Sequence, residues 1–182
     1  MQWGTPDGWF SWPVGETDAA KQEVRARLSR KDRGWSNVAA SIDAMNAKAV
    51  EAGASAVGVW APPEMGGFVV GMFMLSVWSA ELSGRMTRGA YRRELKQNSS
   101  ETAPEVLSQH IEETELSGTP AIVAFQSCVD AADDVYLRTE VALFPAWSHD
   151  HVRLEVICAD TTRGDSFDEA VAALAASLVL NP

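Results

Sequence analysis

The sequence predicts an α+β fold in which helices pack against a central antiparallel sheet of about five to seven strands, an α/β/α sandwich. The segments 121–129, 135–144 and 151–158 are short, rich in β-branched or aromatic residues and bounded by turn residues, which is typical of antiparallel strands. A closing helix is expected next, because Ser166 and Glu169 have the spacing of a capping box. Apolar residues of that helix recur on one stripe: Phe167, Val171, Leu174 and Leu178.

The beginning of the chain predicts an edge strand followed by two helices. Residues 9–14 fit an edge strand, because their proline would remove a ladder hydrogen bond from a central one. Helices are expected over 17–31 and 35–52, with Gly53 at the C-terminal cap of the second, and one long helix interrupted at Gly34 is the alternative. The second helix has an apolar face: Trp35, Val38, Ala39, Ile42, Met45, Ala49 and Val50.

A hairpin and a basic segment complete the first half. Residues 55–61 are expected to pair with 68–78, an almost unbroken apolar run that is too short to span a membrane as a helix and fits a central strand buried on both faces. Residues 79–97 then predict a helix with a basic stripe, and a mobile loop is the alternative because Gly84 and Gly89 weaken the helix. One interpretation of that stripe is a docking site for an acidic partner or a phosphate. The favoured interpretation is a solvated helix face. Its residues are Arg85, Arg88, Arg92 and Lys96, with Arg93 beside them.

A short helix is expected from about 104 to 111, because Thr102 and Glu105 form a capping box with Pro104 in the first turn. Residues 113–116 would then pair with the strand 121–129 across a turn at Gly118-Thr119-Pro120. The 182 residues are expected to form a single domain, with 1–98 and 99–182 as its two halves. With no basic region and apolar core after the first residue, the sequence predicts a cytoplasmic protein.

Charge is the feature that bears most on partners. The formal net charge is −10, and residues 101–182 hold 3 lysines and arginines against 15 acidic residues, whereas residues 1–100 hold 12 against 10. This excess argues against nucleic-acid binding and predicts a basic protein partner. The proposed acidic docking face is Glu112, Glu113, Glu115, Asp130, Asp133 and Asp134. The alternative docking cluster is Trp3, Trp9 and Trp12, although packing on the core is favoured for these rings.

The sequence predicts no catalytic residue and no cofactor. His149 and His151 alternate and could share a metal ion, but two histidines without a further local ligand favour an ordinary turn. The two cysteines, Cys128 and Cys158, are expected to be small buried residues, with a disulfide as the alternative. No nucleophile elbow or phosphate-binding loop occurs.

The order of predicted elements resembles the PsbP-like α/β/α fold, shared by the photosystem II extrinsic protein, a nuclear-transport cofactor of the Ran GTPase and actinobacterial lipoproteins. The likeness rests on Gly8-Trp9, Gly53-Ala54, the segment 118–121 and the closing helix before Val179. It is strongest to small proteins of high-GC Gram-positive bacteria. The resemblance implies a non-enzymatic binding or accessory module and supplies no catalytic residues to transfer.

The sequence therefore predicts a non-enzymatic protein-interaction module, an accessory or chaperone-like factor associated with secretion. Two alternatives stay open. One is a small ligand-binding protein or enzyme with a pocket lined by tryptophan and methionine side chains, and the other is an immunity protein that neutralises a toxin. A deep enclosed pocket with convergent polar groups would favour the enzyme or ligand-binding protein. An exposed surface of one charge or of apolar side chains would favour the interaction module.

Overall fold

The computed structural model describes residues 2–27, 35–65, 68–97 and 104–179. Within these ranges the chain forms strands and helices in an α+β arrangement, which confirms the predicted fold class. The strands are β1 Gln2–Trp3, β2 Trp9–Pro13, β3 Ala56–Trp60, β4 Gly71–Trp78, β5 Glu105–Leu116, β6 Thr119–Val129, β7 Val135–Leu143, β8 His151–Cys158 and β9 Leu178–Val179. The helices are α1 Thr17–Arg27, α2 Trp35–Glu51, α3 Ala80–Ser83, α4 Arg88–Gln97 and α5 Gly164–Ala176.

Seven strands form one antiparallel sheet in the order β2-β3-β4-β8-β7-β6-β5. Strands β4 and β8 pair at its centre, so strands from both halves of the sequence share a single ladder. The short strands β1 and β9 pair separately. The outer strands are β2, which ends in a proline as the sequence predicts, and β5.

Helices cover both faces of the sheet because successive strand residues point to opposite sides. On one side, here called the α5 face, Phe167, Val171 and Leu174 pack against the centre of the sheet with Phe73 and Leu154. The other side, the α2 face, carries α1 and α2 over β2 and β3 and carries α4 over β6. The central part of the α2 face, over β7 and β8, lies between these two helical covers.

Helix α2 closely follows its predicted pattern. Ile42, Met45 and Ala49 are buried. Gly53 follows the end of the helix, and its φ of 64° suits a residue without a side chain. The N–H of Ala54 donates to the carbonyl of Ala49 at 2.9 Å, which closes the last turn. Val50 is 58% exposed, so its assignment to the buried face was wrong. The predicted break at 31–34 and residue Gly34 lie outside the described residues.

The predicted central strand is confirmed in position but is shorter than expected. Strand β4 begins at Gly71 rather than at Phe68, which is exposed. Phe73 and Leu75 are fully buried on the α5 face, whereas Val77 and Trp78 are exposed at its end. Burial on both faces was therefore wrong for this end of the strand, because no described helix covers it.

The expected helix over 104–111 is the main error, since β5 runs from Glu105 to Leu116 as one strand. The helix prediction rested on a local cap at Thr102, which lies outside the described residues. Pairing with β6 along nearly its whole length outweighs that local preference. The turn is also two residues long, Ser117-Gly118, rather than the predicted 118–120.

The remaining differences concern helix ends and the basic segment. Helix α5 begins before Ser166, whose hydroxyl donates to the carbonyl of Arg163 at 3.1 Å, so the predicted capping box was wrong. Leu178 belongs to β9 rather than to the helix. The segment 79–97 is two helices, with Arg85 in the connection between them.

Cys128 and Cys158 are both buried free thiols, as the favoured interpretation held. Strand register places them on opposite faces of the sheet, which excludes a disulfide between them. Burial raises the pKa of both thiols.

No helix in the described ranges is long and apolar enough to cross a membrane.

Candidate functional site

Strand β5 is an outer strand of unusual length, twelve residues, joined to β6 by a two-residue turn. Ser117 and Gly118 have φ angles of 49° and 78°. Positive φ at both positions gives the type I′ turn, whose twist matches that of the flanking strands. This turn fixes the register of Leu116 opposite Thr119 and hence the orientation of the peptide groups of β5 back to Ser108, where the register shifts.

The register shows which backbone groups of β5 have no neighbour within the sheet. Leu116 and Thr119 form the hydrogen-bonded pair that closes a two-residue turn, so bonded and non-bonded pairs alternate from there. The carbonyl of Pro120 accepts from the N–H of Phe144 at 2.9 Å, which confirms that Pro120 is turned towards β7 rather than β5. The N–H and C=O groups that point away from β6 therefore belong to Gln109, Ile111, Glu113 and Glu115.

The side chains along this edge are acidic and exposed. Glu112, Glu113 and Glu115 all lie on β5, and we call this strand with its three glutamates the acidic edge. Charged side chains on an outer strand hinder pairing between identical copies, because like charges would face one another. They also favour a neighbour of opposite charge.

The structure does not bring the other three predicted acidic residues to this position. Asp130, Asp133 and Asp134 lie in the turn between β6 and β7, about 20 Å along the strand from Glu112, the nearest of the three glutamates. Asp130 has a structural role, since its Oδ1 accepts from the N–H of Ala132 at 2.8 Å and of Asp134 at 3.1 Å. The predicted six-residue face is thus two separate groups.

Helix α4 supports the acidic edge from the α2 face. An Arg92 Nη1 donates to Glu113 Oε1 at 2.8 Å, and Gln109 Nε2 donates to the carbonyl of Leu95 at 3.3 Å. Both partners of the ion pair are 44% exposed, so the contact between Arg92 and Glu113 contributes little stability. Among the basic stripe residues, Arg92 alone forms an ion pair with a described residue.

On the α5 face the acidic edge adjoins an open groove of about 290 Å³ between the start of α5 and strands β5 to β7. We call it the α5 groove. Phe125 and Phe167 form part of its wall, and the ring of His110 stacks on Phe125 at 6.5 Å. Asp168 lies at its rim, where burial and the neighbouring Asp165 raise the pKa of this carboxyl. No hydrogen bond or ion pair links the Asp168 carboxylate to another described residue.

Two of the three tryptophans proposed as an alternative docking cluster, Trp9 and Trp12, belong to the core. Trp9 is 1% and Trp12 is 3% exposed, on opposite faces of the sheet. Trp9 stacks on Trp60 with ring centroids 5.7 Å apart. An exposed hot spot at these two rings was therefore wrong, because neither can reach a partner. Trp3 pairs with Leu178 in the small sheet, and its side chain lies outside what the structure describes.

The two candidate metal ligands occupy different environments. His149 is exposed, whereas His151 is buried among Phe144, Trp78 and Tyr91, with the Phe144 ring 5.6 Å away. Burial and the nearby Arg153 lower the pKa of His151. No group of three metal-ligating side chains converges within the described ranges.

Sequence reasoning missed a cluster of charges at the centre of the α2 face. Two arginines and two glutamates on β7 and β8, here the charge quartet, lie between the helical covers. Glu140 is directly opposite Glu155 in the strand register. Arg138 bridges them, with Nη2 2.8 Å from Glu140 Oε2 and Nε 2.8 Å from Glu155 Oε1. Arg153 Nη2 lies 2.9 Å from the same Glu140 oxygen.

Tyr91 of α4 completes the quartet by donating its hydroxyl hydrogen to Glu140 Oε1. Burial raises the pKa of Tyr91, and the Glu140 charge raises it further. Burial alone would lower the pKa of Arg153, but the charges of Glu140 and Glu155 outweigh it, so the net shift of this pKa is upward. The two arginines and two glutamates compensate one another's charge, and the Tyr91 hydroxyl joins them to α4, so the quartet is a structural link between that helix and the sheet. One signal was present: charged residues at alternate positions of two strands predicted to be neighbours.

Comparison with known proteins adds no function. No family model matches the chain, and no curated protein matches it. Among solved structures, the chain is similar to a Pseudomonas aeruginosa protein of unknown function described as a putative regulator. The TM-score is 0.44 at 10% identity, covering 62% of this chain and 74% of that chain. At this level the likeness carries no argument.

Proposed function

We propose that this chain is a non-enzymatic protein-interaction module, which captures an extended basic segment of a partner protein as an eighth strand beside β5. The observation that carries the proposal is the twelve-residue outer strand with outward-facing backbone groups. Addition of a strand to such an edge supplies main-chain hydrogen bonds whatever the sequence of the guest. The acidic side chains supply the preference for lysine and arginine.

The α5 groove supports the same proposal. A strand bound beside β5 would direct alternate side chains towards the α5 face, where the groove opens. An aliphatic stem can pack on Phe125 while its ammonium or guanidinium group meets the Asp168 carboxylate. Main-chain pairing would then provide affinity, and the groove would provide selectivity.

Capture of an extended segment fits an accessory or chaperone-like role, because such a segment is available only in an unfolded or unstructured part of a client. The resemblance to PsbP-like domains supports an accessory module in the same way. We keep the cytoplasm as the proposed location and secretion as the proposed process. The toxin-neutralising alternative has no specific contact in its favour.

The proposal is tested by selecting binders from a library of random twelve-residue peptides and measuring their affinity for paired variants. Glu113→Pro removes one outward-facing N–H, which an outer strand tolerates because that group bonds to nothing in the sheet. Glu113→Ala is the matched control, because it removes the same side chain and keeps the N–H. We expect basic, β-branched peptides whose affinity falls about tenfold more in Glu113→Pro than in Glu113→Ala.

The melting temperatures of both variants are measured first, so that a folding defect is recognised. Equal affinities for the two folded variants would contradict strand addition. Selected peptides without an excess of basic residues, or binding that is indifferent to ionic strength, would contradict the role of the glutamates.

A further inference from the structure

A second concave surface lies at the end of the sheet that carries the turn between β5 and β6. It is a cleft of about 310 Å³ between the connection that precedes α4 and the loop that joins β7 to β8. Cavities of this size accommodate small organic molecules. We call it the arginine cleft, and none of the residues that form the acidic edge lines it.

The floor of the cleft is apolar. Met86 and Phe144 are half-buried and pack with the small cluster beneath α4, and Pro145 is buried beside them. Phe144 is held in place by stacking on His151 at 5.6 Å and by an edge contact with Tyr91 at 5.8 Å. The floor is therefore fixed by the same core contacts that hold α4.

The rim of the cleft is cationic, although the chain as a whole is strongly acidic. The side chains of Arg85 and Arg88 are exposed, and their guanidinium groups form no hydrogen bond or ion pair with any described residue. His149 also lines the rim. Among the described residues that line the cleft, Asp150 alone carries a carboxylate, and its Oδ1 accepts from the N–H of Ala80 at 2.9 Å. Two guanidinium groups thus face one carboxylate that already has a backbone partner.

From this arrangement we infer that the arginine cleft binds a carboxylate attached to an apolar group, with the carboxylate at Arg85 and Arg88 and the apolar group on Met86 and Phe144. Guanidinium groups bind carboxylates through parallel hydrogen bonds, which fixes the orientation of the ligand. The apolar floor contributes by burial. This inference concerns a small ligand and is independent of strand addition at β5.

The test follows the ¹³C-labelled methyl groups of methionine by NMR while 3-phenylpropionate is added. Met86 is the reporter, and Met72 and Met74 on β4 under α2 are internal references. The neutral 3-phenylpropionamide and inorganic phosphate are added in separate titrations. The double variant Arg85→Gln/Arg88→Gln is compared with Arg93→Gln/Lys96→Gln, which removes the same charge from exposed positions of α4 outside the cleft.

We expect 3-phenylpropionate to cause a saturable shift of the Met86 signal with a dissociation constant of about 1 mM. The amide should bind the unaltered protein about tenfold more weakly, and the double variant Arg85→Gln/Arg88→Gln should bind 3-phenylpropionate about tenfold more weakly. The control double variant should bind as the unaltered protein does. An unchanged Met86 signal, equal binding of the amide, or equal loss in both double variants would overturn the inference. Phosphate binding as tight as that of 3-phenylpropionate would also overturn it, because the apolar floor would then contribute nothing.

Discussion

Replacement of Glu140 by glutamine tests whether the charge quartet holds α4 on the sheet. The Glu140 side chain is 4% exposed and accepts from Tyr91, Arg138 and Arg153. Its loss leaves two largely buried guanidinium groups to share Glu155. Removal of one partner from a buried ion pair typically costs about 3–5 kcal/mol. For a chain of this size that corresponds to a fall in melting temperature of about 6–20 °C.

The assay is urea unfolding followed by tryptophan fluorescence and by far-ultraviolet circular dichroism, with Glu112→Gln as control. Glu112 is 54% exposed and pairs with no described residue other than His110, so its replacement should change the free energy of unfolding by less than about 0.5 kcal/mol. Tyr91→Phe should lie between the two variants, at about 1.5–3 kcal/mol, because Glu140 loses one of three donors. A cost below about 1 kcal/mol for Glu140→Gln would refute the structural role of the quartet.

Four further substitutions test other parts of the structure. Gly58→Ala should prevent folding or destabilise the chain severely, because the added methyl would overlap the Phe73 ring and the Phe10 carbonyl. Gly89→Ala should stabilise α4 by up to about 1 kcal/mol in thermal unfolding, because open space surrounds Gly89 and alanine favours the helix. His151 has a lowered pKa in the folded state, so the unfolded chain binds a proton at this histidine more readily than the folded chain does. Stability therefore falls as pH drops below about 6.5. His151→Phe should flatten this dependence of the free energy of unfolding, measured in urea titrations between about pH 7 and pH 5. Asp168 has a raised pKa in the folded state, so its ionisation removes stability as pH rises. The variant Asp168→Asn should be a few tenths of a kcal/mol more stable than the unaltered protein at about pH 7 and no more stable at about pH 3. The same variant should bind basic peptides more weakly.

Sequence patterns predicted the parts of the fold in which local preference and tertiary packing agree. Strands β6, β7 and β8 combine β-branched residues with clear turn signals, and their predicted bounds differ from the observed ones by two residues or fewer. Helix α2 has both an apolar face and a terminal glycine. In each of these elements several independent signals indicate the same structure, which is the condition for a reliable prediction.

The acidic edge could be predicted only in part, because its two signals conflict. Residues 104–111 carry a helix-start pattern, whereas the strand that forms there is stabilised by pairing with β6. Pairing between distant strands is a tertiary effect that local spacing does not report. The glutamates were identified as docking residues from charge alone, but their position on an outer strand required the sheet order.

The charge quartet and the arginine cleft were missed for a related reason. Glu140 and Glu155 are 15 positions apart, and they meet because β7 and β8 pair in a particular register. Arg85 and Phe144 are further apart and lie at one cleft because α4 packs across the sheet. Neither site has a local motif, so only the assembled sheet brings its members together.

Amide hydrogen exchange along β5 tests the proposed docking role most directly. The exchange rates are measured by NMR for the free protein and in the presence of a basic peptide selected as described above. Strand addition predicts that the amides of Gln109, Ile111, Glu113 and Glu115 slow by at least about tenfold, while those of the alternate residues, already bonded to β6, change little. Unchanged exchange at these four amides with the peptide bound, or protection confined to the arginine cleft, would contradict capture at the β5 edge.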